Sequence, residues 1–248
     1  MSTPTLVAHR GHAARCPENT LRALEEALAA GAAWVELDVQ LSADEVPVLF
    51  HDRTLERMCG VTGAIHERRW EELARLSCAE RGRFGERFAE QRLARLEDLA
   101  ALLQRHPRAR AFVEIKRVAL ERFGAERVLA RSLAALRAVA ERCVLISFSL
   151  PFLEHARAHC GLPLGAVCDR WEERLEPALG RCAPEFLFCD LEGLPAQGSL
   201  EHPGAQVAIY EVADPVLARA LGARGVELVE TFAIVEMLAA LGKGGPGA

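Results

Sequence analysis

The chain predicts a (β/α)8 TIM barrel, a ring of parallel strands wrapped by helices. Eight short apolar, β-branched runs recur along its 248 residues. Helical patterns separate most of them, and about 250 residues is the usual length of such a barrel. No GxGxxG turn joins a strand to a helix, so a doubly wound open sheet ranks second.

The first strand is read at 5–9, in "TLVAH". "NTLRALEEALAAG" follows with helical spacing, Asn19 as its N-cap and Gly31 as its C-cap. The second strand, "WVELDV", covers 34–39. The remaining strands are expected at 111–116, 143–148, 162–167, 186–191, 206–212 and 225–230. Helices are expected at 95–105, 120–141, 150–160, 172–182, 214–223 and 232–241. "EGLPAQGSLEHPGA", between the sixth and seventh strands, reads as a loop with at most a short helix. One interval breaks the rhythm. From about 47 to 92 an extra strand, "VPVLF", leads into a Gly- and Arg-rich stretch, read as a small subdomain inserted after the second strand of a single catalytic domain spanning 1–248. The tail "GKGGPGA" is expected to fray.

Composition narrows the function. The chain is 50% hydrophobic and 26% charged, with net charge −5. It has no basic stripe to attract nucleic acid or an anionic membrane. No apolar segment approaches the ~18 residues of a membrane span, and no signal-peptide pattern opens the chain, so a cytoplasmic location without stable membrane association is expected. The eight cysteines form no CxxC pair and read as reduced, structural thiols. Monomer and homodimer both remain open.

Chemistry enters where the strands carry the wrong residues. Glu36 and Asp38 interrupt Val35, Leu37 and Val39. Side chains two apart share a face of a strand, with Cα atoms about 7 Å apart. Active residues of a barrel lie at the C-terminal ends of its strands. There the first strand offers His9 and Arg10, the second Glu36 and Asp38, and the third Glu114 and Lys116, while "PVLFHD" delivers His51 and Asp52. Three carboxylates at one mouth would repel each other unless they hold a cation, and oxygen ligands point to Mg²⁺ or Ca²⁺, with Mn²⁺ possible. With Arg10 and Lys116 counted, such a site is left near one positive charge, suited to a phosphodiester. Arg10 can fork onto phosphate oxygens and Lys116 supply a point charge. His9 and His51 can exchange protons near neutral pH, as in-line displacement at phosphorus requires.

"HRG" with "PENT", then "ELDVQLS", then "PVLFHDRTLERMCGVTG" resembles the glycerophosphodiester phosphodiesterase family, and "VEIK" resembles its Glu-x-Lys strand. The resemblance runs from His9 to Lys116 and more loosely beyond. It implies a barrel with an insertion after the second strand and one divalent cation on Glu36, Asp38 and Glu114. It further implies acid/base roles for His9 and His51, and phosphate contacts from Arg10 and Lys116. The implied reaction cleaves a small glycerophosphodiester to glycerol 3-phosphate and an alcohol such as choline or ethanolamine, with the glycerol 2-hydroxyl or water attacking. Alternatives are a lysophospholipase-D-like phosphodiesterase and a non-catalytic glycerol-phosphate-binding barrel.

The C-terminal half departs from the family. Tyr210-Glu211-Val212-Ala213 stands where Trp-Thr-Val-Asn is frequent, and Phe232 where an Asp often follows Thr. Tyr210 and Phe232 are therefore candidates for the substrate pocket, Tyr210 through its ring and hydroxyl, and Phe148, which follows the fourth strand in "ISFS", is a candidate for pocket or core. Asp52 is read as a possible orienting acceptor for His51. His12 is read as a solvated loop residue, and His155, His159 and His202 as surface.

Overall fold

The computed structural model describes residues 3–242; the tail expected to fray lies almost wholly outside them. Eight parallel strands close into a barrel, with β1 hydrogen-bonded to both β2 and β9. They are β1 (Thr5–Ala8), β2 (Trp34–Leu41), β4 (Arg110–Ile115), β5 (Cys143–Ser147), β6 (Leu164–Cys168), β7 (Phe186–Asp190), β8 (Gln206–Tyr210) and β9 (Leu228–Thr231). The ninth strand, β3 (Pro47–Leu49), runs antiparallel on β2 beyond the ring. No helix lies between β7 and β8, in keeping with the loop composition there.

Strand alternation sorts two cores. Val7, Phe112, Val144, Phe186, Phe188 and Leu228 point inward and plug the barrel, with Trp34 stacked on Phe112 at 4.3 Å. Val35, Leu37, Val113 and Ile115 point outward, under the helices. Continuing the inward face of β2 past Trp34 gives Glu36, Asp38 and Gln40. The same parity carries β4 from Phe112 to Glu114, and β9 from Leu228 to Glu230. The apolar plug thus ends where a layer of carboxylates begins.

Several elements differ from expectation. The helix after β1 is α1 (Leu21–Ala29), and its N-cap is Thr20, whose Oγ1 accepts from the Ala23 N–H at 3.2 Å. Asn19 is held elsewhere. At the far end Ala30 is the C-cap, and Gly31 follows at φ +98°. The single helix expected over 120–141 is two, Arg117–Phe123 and Ala125–Leu136, broken at Gly124, whose φ of +79° no helix accommodates. The one expected over 172–182 divides at Pro177 into a 3-10 turn (Trp171–Leu175) and a short helix (Pro177–Cys182), because proline has no N–H for the helical ladder. The last strand begins at Leu228, since Gly225 turns the chain at φ +101°.

Between β3 and the helix Leu96–Arg105, the chain forms three one-turn α-helices, α2 (Glu56–Cys59), α3 (Trp70–Leu73) and α4 (Arg81–Phe84), and a 3-10 turn (Ile65–Glu67). Val48, Phe50, Leu55, Met58, Ile65, Leu73 and Leu93 form its own apolar cluster. Leu96–Arg105 is α5, followed after β4 by α6 (Arg117–Phe123) and α7 (Ala125–Leu136). All eight cysteines are free, seven of them buried. Among the described residues no helix is long and apolar enough to cross a membrane.

One glycine is required by the turn that leaves β1. Gly11 lies at φ +80°, and a Cβ there would meet the Ala23 carbonyl carbon at 2.5 Å. A Cβ at Gly31 would meet nothing within 4 Å, so only its backbone angle resists substitution. Gly31→Ala should therefore cost about 1 kcal/mol and Gly11→Ala about 3 kcal/mol or more, lowering Tm by roughly 2–4 °C and 6–12 °C. Equal melting temperatures in circular dichroism would show the close approach to be unimportant.

Candidate active site

Glu36, Asp38 and Glu114 converge: one oxygen from each lies within 4.8 Å of the others. Pairing in register brings Asp38 of β2 beside Glu114 of β4. The three are 1%, 1% and 8% exposed. Two like charges ~4 Å apart repel by about 4 kcal/mol at an effective dielectric of ~20, so such a group needs counter-charge.

Two cations supply part of it. Lys116, just beyond β4, places Nζ 2.8 Å from Glu114 Oε1 and 3.1 Å from Asp38 Oδ1. Arg10 places Nε 3.2 Å from Asp38 Oδ2 and donates from Nη1 to Glu18 Oε1 at 3.1 Å. Burial acts to raise the Asp38 carboxyl, yet Lys116 and then Arg10 outweigh it and hold the group well below the usual carboxylate range. Glu36 has no such partner. Burial, then the neighbouring Asp38 and Glu230 charges, push it well above its ordinary value, and its Oε1 has no hydrogen-bond partner. Glu114 is also raised, by burial and Asp38. Converging oxygens, and buried acids driven upward partly by their neighbours' charge, form a group that could hold a hard divalent cation.

The loops hold this layer in place. Arg10 lies at φ +54° and Asn19 at φ +56°, both uncommon for residues with a side chain. The Arg10 backbone N–H donates to Glu36 Oε2 at 3.1 Å. Asn19, expected to cap α1, instead donates from Nδ2 to Asp38 Oδ2 at 2.8 Å and accepts from the Asp38 N–H at 3.1 Å. Only the closed ring, with β1 against β2, brings the two together.

His9 follows β1 and is 6% exposed. Its ring stacks on Phe232 at 4.5 Å with a 9° interplanar angle, and Nε2 lies 3.7 Å from Glu36 Oε2. Burial and then the Arg10 charge lower its pKa well below the ordinary histidine value, which leaves a neutral ring. His51 is half-buried, and its Nδ1 is 2.9 Å from Asp52 Oδ1. Gln40, the next inward residue of β2, donates from Nε2 to the carbonyls of Phe50, His51 and Asp52 at 3.1, 3.2 and 2.6 Å, fixing the turn that carries His51.

Arg57 of α2 ties the inserted segment to both sides of the site. It donates to Asp52 through Nε at 2.7 Å and Nη2 at 2.8 Å, to Glu18 through Nη2 at 2.6 Å, and to Glu80 through Nη1 at 3.0 Å. Asp52 in turn meets His51, and Glu18 meets Arg10. One guanidinium therefore braces both the histidine and the arginine.

The pocket candidates separate. Phe148 is half-buried and lines a cavity of about 250 Å³ with His51, Arg53, Lys116, Arg117 and Asp169. Phe232 serves as the floor under His9. The ring of Tyr210 is 6.5 Å from that of His9, but its hydroxyl, expected to be on offer to a ligand, donates to the Cys168 carbonyl at 2.9 Å. His12 is not solvated: it is 3% exposed, with Nε2 3.2 Å from Glu236 Oε2. Glu18, Gln40, Arg57 and Glu230 were not singled out from the sequence. For Gln40 the signal existed, as a polar residue two past Asp38 on the inward face of β2.

The chain matches known proteins along its length. Residues 9–228 match the glycerophosphoryl diester phosphodiesterase family. Over 100 residues it is 36% identical to glycerophosphodiester phosphodiesterase 1 of Mus musculus, a match covering 40% of this chain and 30% of that protein. Over 98 residues it is 37% identical to the glycerophosphodiester phosphodiesterase of Caldanaerobacter subterraneus, covering 40% of each. These matches thus span less than half of each curated relative. The fold is similar to that of an Oleispira antarctica phosphodiesterase solved with its product sn-glycerol-3-phosphate, at TM-score 0.83 and 24% identity over 97% of both chains. It is also similar to a glycerophosphodiester phosphodiesterase from Agrobacterium tumefaciens, at TM-score 0.75 and 22% identity over 95% of this chain and 99% of that one. With that match over most of its length, and with the family's motifs gathered at one barrel mouth, the chain belongs to the glycerophosphoryl diester phosphodiesterase family.

Proposed function

We propose that this protein hydrolyses glycerophosphodiesters to glycerol 3-phosphate and an alcohol. The observation that carries the reading is the convergence of Glu36, Asp38 and Glu114 within 4.8 Å, with His9 beside Glu36 and the cations Arg10 and Lys116 against Asp38. Glu36, Asp38 and Glu114 would hold one divalent cation, Mg²⁺, Ca²⁺ or Mn²⁺, which when bound offsets their charge and polarises a phosphoryl oxygen. The remaining work belongs to the chain. Lys116 and Arg10 hold the non-bridging oxygens. Arg10 donates from Nη1 to Glu18 and sets Nε against Asp38 as an ion pair, and its Nη2 group would donate to phosphate.

The environments of the histidines divide the proton work. His9, neutral and buried, accepts the proton of the attacking hydroxyl, either the glycerol 2-hydroxyl or water. As the new P–O bond forms, the bond to the alcohol breaks. His51 delivers a proton from Nε2 to the departing oxygen, with Asp52 on Nδ1 stabilising the charged ring. Attack by the 2-hydroxyl gives a cyclic phosphate, which water opens by the same exchange reversed.

The His9 side is closed by Phe232 and suits the glycerol common to all substrates. The His51 side opens on the cavity of about 250 Å³ and suits an alcohol that varies. A second cavity of about 430 Å³ shares Arg117 and Phe148 with it, its lining mixing Leu150, Val167 and Leu179 with Glu173 and Glu176.

His9→Ala and His51→Ala should each lower kcat by about 10²–10⁴-fold, with divalent-cation binding in calorimetry retained; undiminished release of glycerol 3-phosphate in either variant defeats the assignment. Chelation should abolish turnover, and Glu36→Gln should weaken cation affinity at least 10-fold or so, by loss of a charged ligand. Arg57→Gln should lower kcat/KM by about 10–100-fold through misplaced Arg10 and His51, and Arg57→Lys should recover little, since an ammonium cannot span Asp52 and Glu18 with a planar fork. Full recovery by lysine would reduce Arg57 to a point charge.

A further inference from the structure

One acid at the barrel mouth is assigned to neither the cation nor the phosphate. Glu230 stands on β9 beside Val7 of β1 and is 3% exposed. Its Oε2 lies 4.0 Å from His9 Nε2, and its Oε1 has no hydrogen-bond partner among the described residues. It is not one of the acids whose oxygens converge within 4.8 Å. Two positions back, Leu228 occupies the same inward face with an apolar side chain. A carboxylate in such surroundings destabilises the empty fold unless something supplies its missing hydrogen bond.

The neighbours narrow what that something is. Phe232 is spent stacking against His9, and the Tyr210 hydroxyl is spent on the Cys168 carbonyl. Glu230 Oε1 is then a buried acceptor on the closed side of the site that, among the described residues, has no partner and belongs to no converging acid group. An unpaired carboxyl oxygen accepts from a hydroxyl, while the non-bridging oxygens of a diester have no proton to donate, so its ligand is the uncharged, hydroxylated end of the substrate. A hydroxyl engaged by His9 Nε2 has its vicinal neighbour one carbon further along, and an acceptor 4.0 Å from that nitrogen is within reach of it.

We propose that Glu230 accepts a hydrogen bond from the terminal hydroxyl of the substrate's glycerol unit, and so sets selectivity for diesters that carry a vicinal diol. The inference rests on the phosphodiesterase reading above and adds the residue that reads the glycerol. Glu230 contacts substrate without taking part in bond making or breaking.

The test compares two diesters with the same leaving alcohol, one built on glycerol and one on 2-hydroxypropyl, which lacks only the terminal hydroxyl. The wild-type chain should favour the glycerol diester in kcat/KM by about 10–100-fold, the range of a hydrogen bond to a charged group. In Glu230→Leu the ratio should fall to about one, and in Glu230→Gln to an intermediate value. Because both substrates meet the same variant, a defect in folding or cation binding slows both together and leaves the ratio unmoved. An unmoved ratio in the variants overturns the proposal. So does a ratio near one in the wild type, which decides the matter even if Glu230→Leu fails to fold. A wild-type chain inert toward every glycerophosphodiester removes the phosphodiesterase reading and this proposal with it; turnover without discrimination removes this proposal alone.

Discussion

Carboxylates buried side by side at the barrel mouth govern what their neighbours must be. Glu36, Asp38, Glu114 and Glu230 all lie in the layer above the aromatic plug, each less than a tenth exposed. Arg10 and Lys116 settle only Asp38 below the normal carboxylate range, while burial and repulsion drive the other three upward. The fold thus leaves the acid layer short of positive charge. A divalent cation on three of the acids would answer that shortage, and Glu230, when ionised, would cancel the single positive charge otherwise left over. Attraction for the proposed phosphodiester would then rest on directed donors from Arg10 and Lys116 more than on net charge.

Around this layer the polar contacts serve to hold direction. The amide of Gln40 gathers three successive carbonyls of the His51 turn. Asn19 pairs with both the backbone and the side chain of Asp38. Arg57 reaches from the inserted segment to Asp52 and Glu18, the acids behind His51 and Arg10. The segment between β3 and α5 carries an apolar cluster of its own, and through Arg57 it is mechanically continuous with the site.

The sequence was most legible where a single strand carries its own signal. Glu36 and Asp38 break an apolar run at period two, so their shared face follows from strand geometry alone. Glu230 obeys the same rule yet escaped notice, because "GVELVE" carries two acids and the strand begins only at Leu228, so its inward parity was hidden. Asn19 was read as a helix cap because Asn suits that place locally; Thr20 fills it, and Asp38, nineteen positions away, claims the amide. His12 looked like loop and is buried against Glu236 of the last helix, a partner 224 residues distant. The division at Gly124 was open to local reading, since its left-handed backbone needs no distant partner.

By itself the sequence determined the barrel, the order in which strand ends deliver His9, Arg10, Glu36, Asp38, His51, Glu114 and Lys116, and the family those motifs mark. These follow from period-two alternation, strand count and local spacing, which act over a few residues. Only the tertiary structure decided that Phe232 stacks on His9, that Tyr210 spends its hydroxyl on Cys168, that one guanidinium braces both Arg10 and His51, and that Glu230 joins the acid layer with an oxygen unpaired. Those contacts arise from ring closure, which sets β9 against β1, and from the inserted segment folding back onto the mouth. Closure joins the first and last strands of the chain, and no local pattern encodes which side chains then meet.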